Sequence, residues 1–215
     1  ALGFIIAQFV SALIIASAIL RGTTRLHLRT RHLTPDPAAM KRILAQSWPP
    51  AIQMVSVFVV TIYFIRMMGS FGDTAQAAYS IGLRLGMVGP MLAFPLAGAT
   101  ATLVAQNLGA RNIPRAWKSL WSGLSVHASL MITMAILLFF YRVPFLQAFS
   151  TDAAVVKLGD EMLFYQSLTF VALAFQFVFF RALQGAGDVM FAMVTSVANS
   201  LFNVALGTYL AINLD

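Results

Sequence analysis

The sequence ALGFIIAQFVSALIIASAIL, residues 1–20, runs for twenty positions without a charged side chain. The hydrocarbon core of a bilayer is about 30 Å thick, and an α-helix needs about 20 apolar residues to cross it. Inside lipid every backbone amide must find its hydrogen-bond partner within the protein, and a helix provides those partners locally. This stretch therefore predicts a membrane-spanning helix.

Five more stretches of similar character follow, at residues 48–68, 77–104, 120–141, 162–183 and 189–212. The whole chain agrees with them, because 60% of its 215 residues are hydrophobic, 10% are charged, and the mean hydropathy is +0.83. Soluble domains carry about 25% charged residues. We therefore predict an all-α fold, a polytopic bundle of about six transmembrane helices, and exclude a soluble globular domain.

The loops between these stretches alternate in charge. The first loop is strongly basic, residues 69–76 hold an aspartate but no Lys or Arg, and the third loop is basic again. The positive-inside rule then assigns the first, third and fifth loops to the cytoplasm. The net charge of +7 comes mainly from basic residues in these loops between the apolar runs, not from a basic face of one amphipathic helix. We predict a multi-pass protein of the cell (inner) membrane whose partner is the lipid bilayer and no nucleic acid.

Prolines predict where helices begin or bend. Pro49 and Pro50 are expected to open the second helix, where the first amides have no intrahelical partner and proline does no harm. Pro90 and Pro95 lie inside the third predicted helix and should bend or loosen it.

Small residues recur along one side of the same helix and should let another helix approach closely. Close packing is one interpretation, and a hinge that moves during a transport cycle is the other. The residues of this face are Gly82, Gly86, Gly89, Ala93 and Ala97.

Signals of catalysis are missing from the sequence. It contains no HExxH motif, nucleophile elbow or phosphate-binding glycine loop, and it has no cysteine. Its acidic residues fall in loops or at the ends of the apolar stretches, so no cation-binding carboxylate, metal site or cofactor is predicted. His127 stands alone in the fourth stretch and should form a hydrogen bond to a neighbouring helix. We predict that the chain is not an enzyme, and a polytopic membrane enzyme remains as an alternative.

Uncharged polar side chains recur on single faces of three predicted helices. In the last one, Ser196, Asn199, Ser200 and Asn203 follow at three- and four-residue steps and form one stripe. Because such groups are unfavourable toward lipid, they should face other helices as hydrogen-bonding contacts or line a wet substrate path. Both interpretations stay open. The candidate path residues, with one cationic member, are Gln53, Arg84, Gln166, Gln176, Asn199 and Asn203.

Two motifs resemble signatures of the MATE (multidrug and toxic compound extrusion) transporters. LVAQNLGA at residues 103–110 is similar to the LVGQNLGA-type signature, and RALQGAGD at residues 181–188 resembles the RALQGAGDT turn. The glycines should adopt backbone angles that other residues avoid at helix ends, and the aspartate should cap the next helix. The motif residues, to which we assign structural roles, are Gln106, Asn107, Gly109, Arg181, Gly185, Gly187 and Asp188.

The resemblance implies a twelve-helix fold whose two lobes face each other across a central cavity. Residues 1–20 then resemble the last helix of the amino-terminal lobe, and residues 21–45 resemble the cytoplasmic inter-lobe linker. Residues 46–215 resemble five of the six helices of the carboxy-terminal lobe. The missing amino-terminal lobe of the same protein is the implied partner.

The function implied by the resemblance is secondary active efflux, an antiport of small amphipathic or cationic drugs by alternating access. One branch of the family binds sodium through acidic residues, but Gln53 stands in one corresponding neighbourhood and no acid lies between Glu161 and Asp188. The coupling ion, proton or sodium, is therefore expected to bind outside this segment. A lipid-linked oligosaccharide flippase of the same superfamily is the alternative, and it would favour basic cavity residues, for which Arg84 is the candidate.

Overall fold

The computed structural model describes residues 2–21 and 35–213, and these residues form six α-helices. Each helix is long and apolar enough to cross a membrane. The predicted all-α membrane bundle is confirmed, and each predicted stretch lies within one helix, apart from Ala1, which is outside the described residues. The helices are α1 (Leu2–Leu20), α2 (Pro37–Ser70), α3 (Asp73–Gly109), α4 (Ile113–Gln147), α5 (Ala153–Gly185) and α6 (Val189–Asn213).

The chain divides into two compact units, Ala1–Ala45 and Gln46–Asp215. In the first unit, α1 exposes its large apolar side chains, such as Phe4 and Phe9, as a helix that faces lipid would. Residues 22–34 of the predicted linker lie outside the described residues.

The prediction that the second helix opens at Pro49 is wrong, because α2 begins at Pro37. Asp36 provides the start signal, and its Oδ1 accepts hydrogen bonds from the amides of Ala38 at 2.9 Å and Ala39 at 3.2 Å. A capping carboxylate followed by a first-turn proline favours helix initiation. The later prolines therefore lie inside the helix, and Pro49 is buried.

The clearest break in helical geometry lies in α4, at a proline that the sequence analysis did not single out. Tyr141 has φ −109° and ψ 16°, three residues before Pro144. A proline inside a helix removes one hydrogen bond and clashes with the carbonyl four residues earlier. Arg142 stabilises this region, because its Nη1 donates to the Phe139 carbonyl at 2.5 Å and its Nε pairs with Asp160 of α5. By contrast, α3 continues through both of its prolines, and a bend there stays a prediction.

The core lies where α3, α4 and α5 pack against one another, and α6 packs on α5. All five residues of the small-residue face of α3 are buried. A Cβ atom on Gly89 would lie 2.7 Å from the Phe170 ring, so a larger residue would separate the helices. The predicted close approach is thus confirmed, with α5 as the partner: Gly82 faces Met162, Gly86 faces Gln166 and Gly89 faces Phe170.

The part of α2 in the second unit, residues 46–70, contacts the other helices of that unit through side chains. The Tyr63 hydroxyl lies 2.5 Å from the Thr208 hydroxyl of α6, and the neighbouring Phe64 ring packs over Gly207. A Cβ atom on Gly207 would approach that ring to 2.6 Å. These contacts place Tyr63 and Phe64 of α2 against α6.

Candidate functional site

The first signature motif ends α3 in a Schellman motif. The amide of Arg111 donates to the Leu108 carbonyl, and the amide of Asn112 donates to the Asn107 carbonyl, both at 2.9 Å. This pattern requires a left-handed residue just past the helix, and Arg111 fills that position with φ 57°. The prediction that Gly109 supplies the unusual backbone angle is wrong, because Gly109 still belongs to the helix.

The second signature motif repeats this pattern at the end of α5. The amide of Gly187 donates to the Gln184 carbonyl at 3.1 Å, and that of Asp188 donates to the Leu183 carbonyl at 2.9 Å. Here the left-handed position is Gly187, with φ 89°, as predicted. Asp188 then caps α6 as predicted, because its Oδ1 accepts from the Phe191 amide at 3.2 Å.

Each turn has a glycine two residues before its left-handed residue, and only one of these glycines has a clear steric role. A Cβ atom on Gly185 would lie 2.5 Å from the carbonyl oxygen of Ala101 in α3, so Gly185 allows close contact of backbones. Its predicted role in an unusual backbone angle is wrong, since its φ is not positive. A Cβ atom on Gly109 would meet nothing within 4 Å.

Asn107 and Asn112 fix the turn from α3 to α4. Asn107 Nδ2 donates to the Leu103 carbonyl at 2.8 Å and lies 3.1 Å from the Ser119 hydroxyl of α4. Asn112 caps α4, with its Oδ1 accepting from the Arg115 amide at 3.1 Å. The side chain of Gln106, by contrast, is exposed.

A chain of polar contacts connects the second motif to α2. Arg181 Nη1 donates to Gln184 Oε1 at 3.2 Å, and Gln184 Nε2 donates to Gln53 Oε1 at 3.1 Å. The Arg181 guanidinium also lies 5.5 Å from the centre of the Phe94 ring of α3. Gln53 is thus half-buried and hydrogen-bonded between helices, one of the two roles that the sequence left open.

Gln166 occupies a different environment in the seam between α3 and α5. Its side chain fills the space left by Gly86, where a Cβ atom would approach Nε2 to 1.8 Å. Its Oε1 is buried and accepts no hydrogen bond from any described residue. A buried carbonyl oxygen without a donor raises the energy of the folded state and is available to a ligand or water.

The predicted polar stripe of α6 is divided in two by the structure. Ser196 and Ser200 are buried, whereas Asn199 and Asn203 are exposed, so the four do not share one environment. At about 100° per residue the four lie within about 100° around the helix axis, so the division reflects which of these positions the neighbouring helices cover. Asn203 Nδ2 donates to the Asn199 carbonyl at 2.8 Å. On α5, Gln176 is half-buried.

Arg84, the cationic candidate, lies exposed on α3. Within residues 2–21 and 35–213 it forms no hydrogen bond or ion pair in this structure. The same residues contain no group of three His, Asp or Glu side chains that could hold a metal ion.

Asp160, predicted in a loop, lies on α5 and pairs with Arg142, because both flanking helices extend further than their apolar stretches.

His127 faces the neighbouring helix α3, as we predicted. Its imidazole is fully buried beside the Ala93 backbone, although neither ring nitrogen meets full hydrogen-bond geometry with a described residue. A second feature of α4, missed in the sequence, is a ladder of exposed hydroxyls in which Ser125, Ser129 and Thr133 each donate to the carbonyl four residues earlier. Its four-residue spacing was the signal that could have revealed it.

The fold and the two turns define a polytopic helical membrane protein with repeated, capped inter-helix turns. The chain belongs to the MATE family, because the MatE family model matches residues 49–209. With its six apolar helices, it is a multi-pass protein of the cell membrane.

Curated relatives match most of this chain but are much longer. The chain is 24% identical over 194 residues to the probable multidrug resistance protein NorM of Thermotoga maritima, covering 90% of this chain and 42% of that protein. It is 27% identical over 175 residues to the multidrug resistance protein MdtK of Photorhabdus laumondii, covering 78% of this chain and 37% of that protein. The chain therefore spans less than half the length of either relative.

Solved structures share the fold. The crystal structure of MATE in complex with MaL6 superposes with a TM-score of 0.86 at 14% identity, over 97% of this chain and 48% of that one. A MOP superfamily transporter from Pyrococcus furiosus gives a TM-score of 0.69 at 22% identity, over 76% and 36%.

Proposed function

We propose that the protein containing this chain is a secondary active exporter, an antiporter that moves small amphipathic or cationic drugs out across the cell membrane. The observation that carries this proposal is the match of the MatE model over residues 49–209, a range that includes both signature turns and every candidate path residue. The names of the relatives, multidrug resistance proteins, agree with this substrate class. The same relatives favour a transporter over an enzyme.

The proposed mechanism is alternating access between two lobes. Residues 1–20 would be the last helix of the amino-terminal lobe, residues 21–45 the inter-lobe linker, and residues 46–215 five helices of the carboxy-terminal lobe. The relatives' lengths support this assignment, since the chain covers 42% and 37% of them. A missing amino-terminal lobe would then close the cavity and be the partner of this one.

Two of the candidate path residues differ in whether their side-chain oxygens are already hydrogen-bonded. Gln166 has an unpaired buried oxygen, whereas Gln53 already accepts a hydrogen bond from Gln184. We propose that Gln166, with Gln176, Asn199 and Asn203, contacts substrate, and that Gln53 sets the polarity near the turn. Neutral amides suit amphipathic cations, because carbonyl oxygens attract positive charge without the desolvation cost of a carboxylate.

The coupling ion, proton or sodium, is proposed to bind outside this chain. Among the described residues of the second unit, Asp160 pairs with Arg142 and Glu161 is exposed on α5, while the remaining acids, Asp73, Asp152 and Asp188, lie at helix starts. An oligosaccharide flippase would need a basic cavity, and no observation favours that function over drug efflux.

The test is ethidium efflux by the full-length protein in proteoliposomes under an imposed proton or sodium gradient. We expect gradient-driven efflux, and we expect Gln53→Ala to change the apparent affinity for ethidium while coupling persists. Gln147→Ala, which removes an exposed amide at the end of α4, is the matched control and should change neither. Absence of efflux under both gradients would refute the proposed function. Loss of gradient-driven efflux in Gln53→Ala with unchanged ethidium binding would refute the role of Gln53.

A further inference from the structure

A groove of about 840 Å³ runs along the seam between α3 and α4, beginning at their connecting turn. Near the turn it is lined by Asn112, Arg115 and Lys118, at mid-depth by Leu103, Thr100 and Ser119, and at the far end by Leu96, Ser122 and Val126. One end is therefore basic, and away from it the lining is mostly apolar with a few hydroxyls. A phospholipid has the same division between headgroup and acyl chain.

The charge at the polar end is positive and uncompensated. Arg115 and Lys118 are three residues apart on α4 and thus neighbours on one face of the helix. Both side chains are exposed, and neither forms an ion pair with a residue that the structure describes. Among the described residues that line the groove, none is acidic. An anionic group would therefore be attracted to this end.

Two tryptophans indicate the depth of the groove in the membrane. Trp117 and Trp121 lie at the same level along α4 as the basic pair, outside the groove lining, and their side chains are 56% and 53% exposed. Exposed tryptophans concentrate at the level of lipid headgroups. From Arg115 to Val126 the helix advances eleven residues, or about 16 Å, which is about half of a hydrocarbon core 30 Å thick. The groove thus spans one leaflet.

We propose that this groove binds an anionic phospholipid of the cytoplasmic leaflet. The lipid phosphate would lie between Arg115 and Lys118, and one acyl chain would follow Leu96, Leu103 and Val126. We place this lipid in the cytoplasmic leaflet because the turn between α3 and α4 belongs to a basic loop, which the positive-inside rule assigns to the cytoplasm. A basic residue near an anionic membrane surface contributes about fivefold to affinity.

The experiment measures lipid selectivity beside the groove in the full-length protein. A bimane fluorophore is placed on Ser125→Cys, one turn from the groove residues of α4, and the protein is reconstituted in mixed phosphatidylcholine and phosphatidylglycerol vesicles. Brominated acyl chains on one lipid at a time quench the fluorophore on contact. A second label at Phe140→Cys, 72% exposed near the other end of α4, reports the general lipid environment.

We expect phosphatidylglycerol to be preferred at the first label and much less at the second. Removing both charges in Arg115→Gln/Lys118→Gln should lower that preference about fivefold per charge. Ala99→Phe, which fills the groove from an exposed position of α3, should lower it with both charges intact. Arg111→Asn removes a charge from the same turn outside the groove lining and should leave the preference largely unchanged.

Three results would overturn the proposal. Equal selectivity at both labels, or selectivity unchanged in the double variant, would mean that the basic pair does not recruit lipid. Absence of quenching at the first label by either lipid would mean that another part of the protein covers the groove. Displacement of phosphatidylglycerol by inorganic phosphate would mean that the site takes a soluble anion.

Discussion

Among single residues, Gly185 and Gly109 hold equivalent places in the two signature turns but experience different surroundings. A Cβ atom on Gly185 would lie 2.5 Å from the Ala101 carbonyl oxygen, a backbone atom that cannot rotate away. Around Gly109 there is no atom within 4 Å of that position. The shared motif therefore contains one sterically required glycine and one that is not.

We expect Gly185→Ala to lower the free energy of unfolding by about 1–3 kcal/mol, because the two backbones must separate. Gly109→Ala is the matched control and should be neutral or stabilising by up to about 1 kcal/mol, since alanine favours helix over glycine. Thermal unfolding of both full-length variants in detergent measures the difference. Equal losses in the two variants would contradict the steric explanation.

The sequence predicted part of each turn. Asp188 was correctly expected to cap α6, because an aspartate just before an apolar helix has a clear local role. The left-handed position at Arg111 could not be predicted, because arginine seldom adopts a positive φ, whereas Gly109, two residues earlier, adopts one readily. Only the hydrogen bonds across the turn reveal that Arg111 corresponds to Gly187.

Among the helices, the seam between α3 and α5 combines close packing with one unsatisfied polar group. Gln166 fills the space above Gly86, yet its Oε1 accepts no hydrogen bond from the described residues. Methionine has a similar volume and no carboxamide. A structural role alone would therefore not favour glutamine here, whereas contact with a substrate would.

We accordingly expect Gln166→Met to raise the free energy of unfolding by about 1–3 kcal/mol, because it removes a buried acceptor that lacks a donor. The same change should weaken ethidium transport by the full-length protein. Gln176 is half-buried and has no buried side-chain atom without a hydrogen-bond partner among the described residues. Gln176→Met is therefore the stability control and should change the free energy of unfolding less. A Gln166→Met protein that is less stable and transports normally would contradict this account.

The lengths of the apolar stretches were enough to place all six described helices, but not their ends. Apolar stretches report the part within lipid, whereas helices such as α3, with 37 residues, continue into water through capped polar turns. The split of the α6 stripe was also beyond the sequence. Which side of a polar stripe becomes buried depends on the neighbouring helix, and spacing along one helix does not contain that information.

For the molecule as a whole, the alternating loop charges predict which turns face the cytoplasm. Cysteines introduced singly at Ala110 and Ala186 should react with a membrane-impermeant maleimide from the cytoplasmic side. A cysteine at Ala148 should react from the outside. All three positions are exposed, and the chain has no cysteine of its own. Labelling of Ala110 and Ala148 from the same side would contradict the topology.

The central claim is that this chain is one part of a two-lobed exporter, and its most direct test compares two sets of proteoliposomes. One contains the full-length protein and the other contains residues 1–215 alone, and both are assayed for ethidium efflux under a proton or sodium gradient. We predict efflux by the full-length protein and none above empty liposomes by the chain alone, because alternating access requires a facing lobe. Gradient-dependent efflux by the chain alone would contradict the claim.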